Sequence, residues 1–343
     1  MKEGVPVNYP KLLKKGDTIG VCAPSSGVAP YLHKVLDRAI ANVTEQGYRV
    51  IVTASVRHDE KMVSADAKTR AKEFMELYTK EEVKAIIPPY GGEFLMDMLP
   101  LLDFELLARL EPKWVCGYSD ITTLLFPLTL QGKIATLHGS NFMNMGFQEI
   151  HSSDLFLFDI LSKEKTVQLS SDYFGDFVNF GDETAKVYCL DKATRIIALG
   201  CEESVTFSGR IIGGCMDVLC PLIGTKYADL HLFQKNYKAD GFIWTLESCE
   251  MNATQIYRAL WQMRQNNWFD HCNGILIGRP RGYAPQQDFT IGDALRLAFQ
   301  DLDVPILFGC DIGHIPPQMQ LINGAYAIVE CENGKMKITQ ELK

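Results

Sequence analysis

Over the first 130 residues, short apolar runs alternate with helical patterns, and most of the runs end on glycine, proline or serine. Residues 17–23 form one such run, closed by Pro24, Ser25, Ser26 and Gly27. Residues 31–46 then place Leu32, Val35, Ile40 and Val43 at helical spacing. Residues 48–54 predict a second strand, and residues 67–78 a helix with Ala71, Phe74, Met75 and Tyr78 on one side. Residues 83–87 and 114–116 predict two more strands, the last followed at once by a helical stretch over 120–130. Strands that alternate with helices pair in parallel under helices on both faces, and their chemistry gathers in the loops beyond the carboxyl ends of the strands. Three loops qualify, at 24–27, 91–92 and 117–120.

From about residue 152 to 206 the pattern changes, and residues 170–177 are polar and aromatic with little periodicity, which suits an ordered surface loop or lid. This places an N-terminal α/β domain at 1–165, a linker and lid region at 166–206, and a C-terminal domain at 207–343. In the last, residues 209–224 are expected to form a turn and then a helix. Strands are expected at 241–246, 274–278, 305–309 and 325–330, with a helix over 252–268. A chain of 343 residues, 47% hydrophobic and 22% charged, can fill such cores. A net charge of -8 argues against a nucleic-acid polymer as partner. No apolar run has the length of a signal-peptide core or a membrane span. The ten cysteines are scattered, with no C-x-x-C and no zinc-ligand spacing, so reduced thiols and a cytoplasmic setting are expected.

Three loops carry residues that could do chemistry. Ser119, in Gly117-Tyr118-Ser119-Asp120, lies where a strand turns sharply into a helix, a position that exposes a hydroxyl beside helix N-terminal amides. Ser119 or Asp120 could equally be a helix cap. Glu247 ends a strand and could orient a histidine or complement the next helix's dipole, with Glu250 a nearby competitor. His314, between glycine and proline residues in a tight loop, could be a fixed general base or a histidine bonded to a neighbouring carbonyl. His138 is the rival base, and Cys116 the rival nucleophile, although Cys116 lies inside an apolar strand.

Taken together, GDTIGVCAPSSG, the Gly91-Gly92 pair with Leu99-Pro100 and Leu102-Asp103, GYSDIT, GRIIGGCMDVLCPLIGT, Leu246-Glu247 and GHIPPQ resemble the LD-carboxypeptidase family of serine peptidases, which includes the microcin C self-immunity branch. The resemblance runs from about Leu12 to Val329. It implies a Rossmann- or flavodoxin-like N-terminal domain with a smaller β-rich C-terminal domain, and a homodimer. It also implies a triad of Ser119 as nucleophile, His314 as base and Glu247 as its orienting carboxylate, with the Gly92 and Asp120 amides as oxyanion hole and no metal or other cofactor. The Gly pair is preceded by Pro89-Tyr90 and followed by Glu93-Phe94, unlike the Arg-Gly-Gly-Tyr-Gly loop of cell-wall members, and Ile322 stands where proline is usual.

The expected substrate is a small peptide, such as a murein tetrapeptide that loses its terminal D-alanine in peptidoglycan recycling. The alternative within the same chemistry is a peptidyl- or aminoacyl-nucleotide conjugate, with Tyr173, Phe174 and Phe177 as candidates for holding it. A non-catalytic module that binds a small ligand on a doubly wound sheet is the alternative from another class.

Overall fold

The computed structural model describes residues 6–176, 187–200 and 204–343. The chain packs as two compact units, one formed by residues 7–164 with 187–188, the other by 165–176, 189–200 and 204–343.

The N-terminal unit carries five parallel strands: β1 (Thr18–Val21), β2 (Arg49–Val52), β3 (Val83–Ile86), β4 (Trp114–Gly117) and β5 (Thr136–His138). They pair in the order β5-β4-β3-β1-β2. β1, β4 and β5 are buried along their whole length, as strands covered on both faces must be. The covering helices follow from spacing and caps. His33–Glu45 turns Val35, Leu36, Ala39 and Val43 inward. Ala67–Thr79 begins at Asp66, whose carboxylate accepts the Lys68 and Thr69 amides and satisfies two donors that the first helical turn leaves open.

The C-terminal unit is built on one eight-stranded mixed sheet. Its strands are β6 (Lys165–Leu169), β9 (Ile197–Leu199), β10 (Ser204–Cys215), β11 (Phe242–Glu247), β12 (Cys272–Gly278), β13 (Ile306–Cys310), β15 (Tyr326–Glu332) and β16 (Lys335–Glu341). The order is β6-β16-β15-β10-β11-β12-β13-β9, parallel from β10 to β13 and antiparallel on either side. A two-stranded ribbon, β7 (Tyr173–Gly175) with β8 (Leu190–Ala193), and a short strand β14 (Leu321–Asn323) complete it. Ile211, Ile243, Leu276, Leu307, Val329 and Ile338 form the heart of its core. The helix Ala253–Gln265 opens with a reciprocal capping box between Asn252 and Gln255.

The structure differs from the expectation of a turn and then a helix over 209–224, because the strand runs on to Cys215 and the helix is Met216–Leu222. The glycines that suggested a turn serve close packing: a β-carbon on Gly213 would stand 1.9 Å from the Thr245 carbonyl oxygen of the neighbouring strand. The loop expected over 170–177 holds a strand at Tyr173–Gly175, too short to show an alternating pattern.

Candidate active site

Each unit presents a prepared set of groups at the carboxyl ends of its parallel strands. In the N-terminal unit β4 ends at Gly117, whose φ is 144°. A β-carbon there would stand 2.6 Å from Asn141 Oδ1 and 2.8 Å from Ile121 Cγ2, so the backbone can leave the sheet only with glycine at this point. Tyr118 is extended and its amide donates to Asn141 Oδ1 at 3.2 Å. Ser119 then adopts φ 63°, in the left-handed region that a serine rarely enters. Such a conformation costs on the order of 1–3 kcal/mol and persists only where the surroundings hold it. A short 3-10 turn, Ser119–Ile121, leads into the wholly buried helix Thr122–Leu130.

Asp120 holds that elbow in place. Its side chain is buried and accepts from Ser25 Oγ at 2.5 Å, the Leu95 amide at 3.0 Å and Thr123 Oγ1 at 2.9 Å. The loops after β1 and β3 are thus tied to the turn after β4. A β-carbon on Gly91 would stand 2.8 Å from both the Asp120 amide nitrogen and Ser119 Cβ, and 2.9 Å from Ser119 Oγ. At Gly92, with φ 154°, it would stand 2.3 Å from Ser26 Oγ and 2.4 Å from Ser25 Oγ. Gly91 lets the backbone of this loop lie directly against the Ser119 turn, and Gly92 lets it lie against Ser25 and Ser26 of the loop after β1. Ser119 itself is half-buried. Cys116, by contrast, is fully buried within β4, and burial pushes its thiol well above the ordinary range. That setting suits a core residue. His138 is buried at the end of β5.

In the C-terminal unit β11 is buried throughout and delivers Glu247 at its carboxyl end, level with Cys215 of β10. The loop after β13 brings in His314, whose Nδ1 lies 2.9 Å from Glu247 Oε2. Both side chains are buried. Glycine again permits the approach: at Gly313, with φ 91°, a β-carbon would stand 2.5 Å from Glu247 Oε2. Nδ1 donates to the carboxylate, which fixes the tautomer and directs Nε2 away from it. Burial lowers the affinity of His314 for a proton, but the Glu247 charge, a hydrogen bond with Cys249 and the bond to Glu247 outweigh it and raise its pKa to about 10. Glu250 is exposed; its amide and that of Cys249 donate to the Asp217 carboxylate at 2.9 and 3.0 Å, shaping the turn after Glu247.

Of the aromatic candidates, Tyr173 is exposed and Phe174 lies under a cation, with the Arg279 guanidinium 4.5 Å from its ring centre. Phe177 lies outside the described residues. Ser25, Asp217, Arg279 and Asp311 were not singled out from sequence. Their parts are played through contacts with residues 30 or more positions away, which no local pattern announces.

Family comparison agrees with the architecture. The LD-carboxypeptidase N-terminal domain matches residues 19–139 and the LD-carboxypeptidase C-terminal domain matches residues 208–329. The chain belongs to the LD-carboxypeptidase family and is a serine-type carboxypeptidase. A probable murein peptide carboxypeptidase of Bacillus subtilis is 26% identical over 334 residues, covering 95% of this chain and 93% of that protein. The microcin C7 self-immunity protein MccF of Escherichia coli is 22% identical over 345 residues, covering 96% and 95%. Among solved structures, an MccF-like protein from Bacillus anthracis superposes with a TM-score of 0.83 at 24% identity, covering 98% of this chain and all of that one. At that identity the likeness is one of fold. No helix among the described residues is long and apolar enough to cross a membrane.

Proposed function

We propose that Ser119, His314 and Glu247 act as one catalytic triad, with the Gly92 and Asp120 amides as the oxyanion hole. The observation that carries this reading is the buried His314–Glu247 pair, a base already oriented by a carboxylate in a chain whose family uses a serine. His314 Nε2 takes the Ser119 proton as Oγ attacks the carbonyl carbon of the scissile amide. The developing oxyanion is held by the two amides, and Glu247 stabilises the imidazolium. The imidazolium protonates the leaving amine, and water, activated by the same base, then hydrolyses the acyl-enzyme. Because neutral His314 is the active form and its pKa is raised, activity should climb with pH well past the ordinary imidazole range.

The substrate is a small peptide cleaved near its carboxyl end, such as the L,D bond to the terminal D-alanine of a murein tetrapeptide. This activity would serve peptidoglycan recycling in the cytoplasm, with the protein acting as a homodimer. A second reading, hydrolysis of aminoacyl- or peptidyl-nucleotide conjugates, is favoured by the likeness to MccF, one of whose solved structures is in complex with aspartyl sulfamoyl adenosine. Exposed Tyr173 would offer a ring for the base to stack on. Hydrolysis of a murein tetrapeptide and of an aminoacyl-sulfamoyl adenosine, by wild type beside Ser119→Ala, tests both. Faster turnover of the tetrapeptide, lost in the variant, supports the first reading. Faster turnover of the conjugate selects the second, and full activity of the variant removes the triad.

A further inference from the structure

Arg279 follows directly on β12 and is almost fully buried. Its Nη1 donates to the Gly309 carbonyl at 2.7 Å, and its Nη2 donates to Asp311 Oδ1 at 2.5 Å. The carbon of the same guanidinium lies over the Phe174 ring on β7, 4.5 Å from its centre, and Lys192 of β8 is 6.0 Å from that ring. Asp311, three positions before His314, is buried and uses its other oxygen to accept the Ser171 amide at 2.6 Å. Its main-chain oxygen accepts the Met319 amide at 2.7 Å, closing the loop that contains His314. Further along that loop, the Pro316 carbonyl accepts the Gly175 amide at 2.9 Å. The loop bearing the base is therefore pinned at both ends and in the middle. One pin comes from Gly175 of the short strand that carries Phe174 and another from Ser171 just before that strand, and one guanidinium joins strand to loop.

We infer that Arg279 is the positioning residue of the His314 loop, and that Phe174 works as the packing partner of Arg279, bracing the base instead of stacking on substrate. The role rests on His314 being the base of the reaction proposed above. An arginine is needed because two directed N–H bonds and a stacking face must come from one planar group; a lysine ammonium supplies a point charge and neither plane nor fork. Without that group, a buried carboxylate three residues from the base loses its cation and is driven to turn toward water or take up a proton, and the loop shifts with it. A misplacement of a catalytic group by about 1 Å is enough to cost roughly 100-fold in rate. A substrate-stacking Phe174 would act on binding of aromatic substrates. A bracing Phe174 acts on turnover of every substrate.

The test compares wild type, Arg279→Met, Arg279→Lys and Phe174→Leu in the full chain, with Ser119→Ala as control. Three readouts are taken: kcat and KM on the tetrapeptide and the conjugate; the rate of labelling by a fluorophosphonate, in which Ser119 Oγ bonds to phosphorus, fluoride leaves and His314 takes the proton; and hydrogen exchange at the Ser171 and Gly175 amides. Both Arg279 variants should lose roughly 10- to 100-fold in kcat and in labelling, with KM changed by less than about threefold. Phe174→Leu should move the same two rates by roughly 5-fold, on both substrates alike. The Ser171 and Gly175 amides should exchange faster in all three. An Arg279→Met protein with wild-type turnover, labelling and amide protection would overturn the inference, as would a Phe174→Leu effect confined to KM. Should Arg279→Met fail to fold, Arg279→Lys and Phe174→Leu decide on the same readouts. A wild type that neither hydrolyses nor labels would sink the peptidase reading. Amide exchange would then still show whether Arg279 braces the loop.

Discussion

The two units hold the proposed catalytic groups in opposite ways. The N-terminal unit stores conformational strain: Ser119 sits at φ 63° on a turn locked by buried Asp120 and by glycines with no room for a β-carbon. The C-terminal unit stores electrostatic tension, since His314 and Glu247 are both buried, their pairing offsets the desolvation, and the imidazole is left strongly basic. A nucleophile needs exposure and a fixed direction, which backbone geometry supplies. A base needs a fixed tautomer and a tuned proton affinity, which a buried carboxylate supplies. The contrast predicts that geometric changes will hurt the first unit and charge changes the second.

The largest effect should come from Ser119→Ala, with a loss of roughly 10⁴-fold or more in kcat and little change in stability, read by steady-state kinetics and thermal melting. Next, Glu247→Gln should cost roughly 10³-fold, because the amide no longer fixes the tautomer or stabilises the imidazolium. It also removes the largest influence that raises the His314 pKa, leaving only Cys249 to oppose burial, so the acid limb of the pH–rate profile should move down from near 10. A limb that stays in place would break the electrostatic half of the comparison. Gly91→Ala should cost roughly 10²-fold in kcat by crowding the Asp120 amide and Ser119 Oγ, while leaving the pH limb where it was. A shifted limb would show that the geometric half is not purely geometric.

The smallest effect sharpens the comparison with a buried carboxylate in the N-terminal unit. Asp154 accepts from Ser140 Oγ at 2.6 Å and Tyr188 Oη at 2.5 Å, and burial raises its pKa to about 6 against two hydrogen bonds that lower it. A carboxyl whose pKa is raised on folding binds its proton more tightly in the folded state. Stability therefore declines as pH rises from about 4 to about 6 and is flat, for this group, above that. In Asp154→Asn this decline should vanish from urea-unfolding free energies measured across that window. A decline of unchanged size would place the titration elsewhere.

How much of this was legible in sequence follows the same division. The βα alternation of the N-terminal unit stands out because buried parallel strands are continuous apolar runs closed by glycine and proline. The Ser119 turn could be located, but its left-handed backbone, φ 63°, could not be read from residue type. β10 was hidden by its own glycines, which serve a neighbouring strand and look locally like a turn. Glu247 and His314 lie 67 positions apart, so only family resemblance could pair them. Arg279 and Asp311 gave no signal, since an arginine after a strand and an aspartate before a loop are ordinary residues until they meet.

The central claim is that groups prepared separately in the two units act as one machine, and a kinetic cycle of Ser119→Ala, His314→Gln and the double variant tests it most directly. If Ser119 and His314 work on the same proton, the double variant should be no slower than the slower single one, the penalties failing to multiply. Penalties that multiply in full, or a Ser119→Ala enzyme that keeps wild-type turnover, would contradict the account.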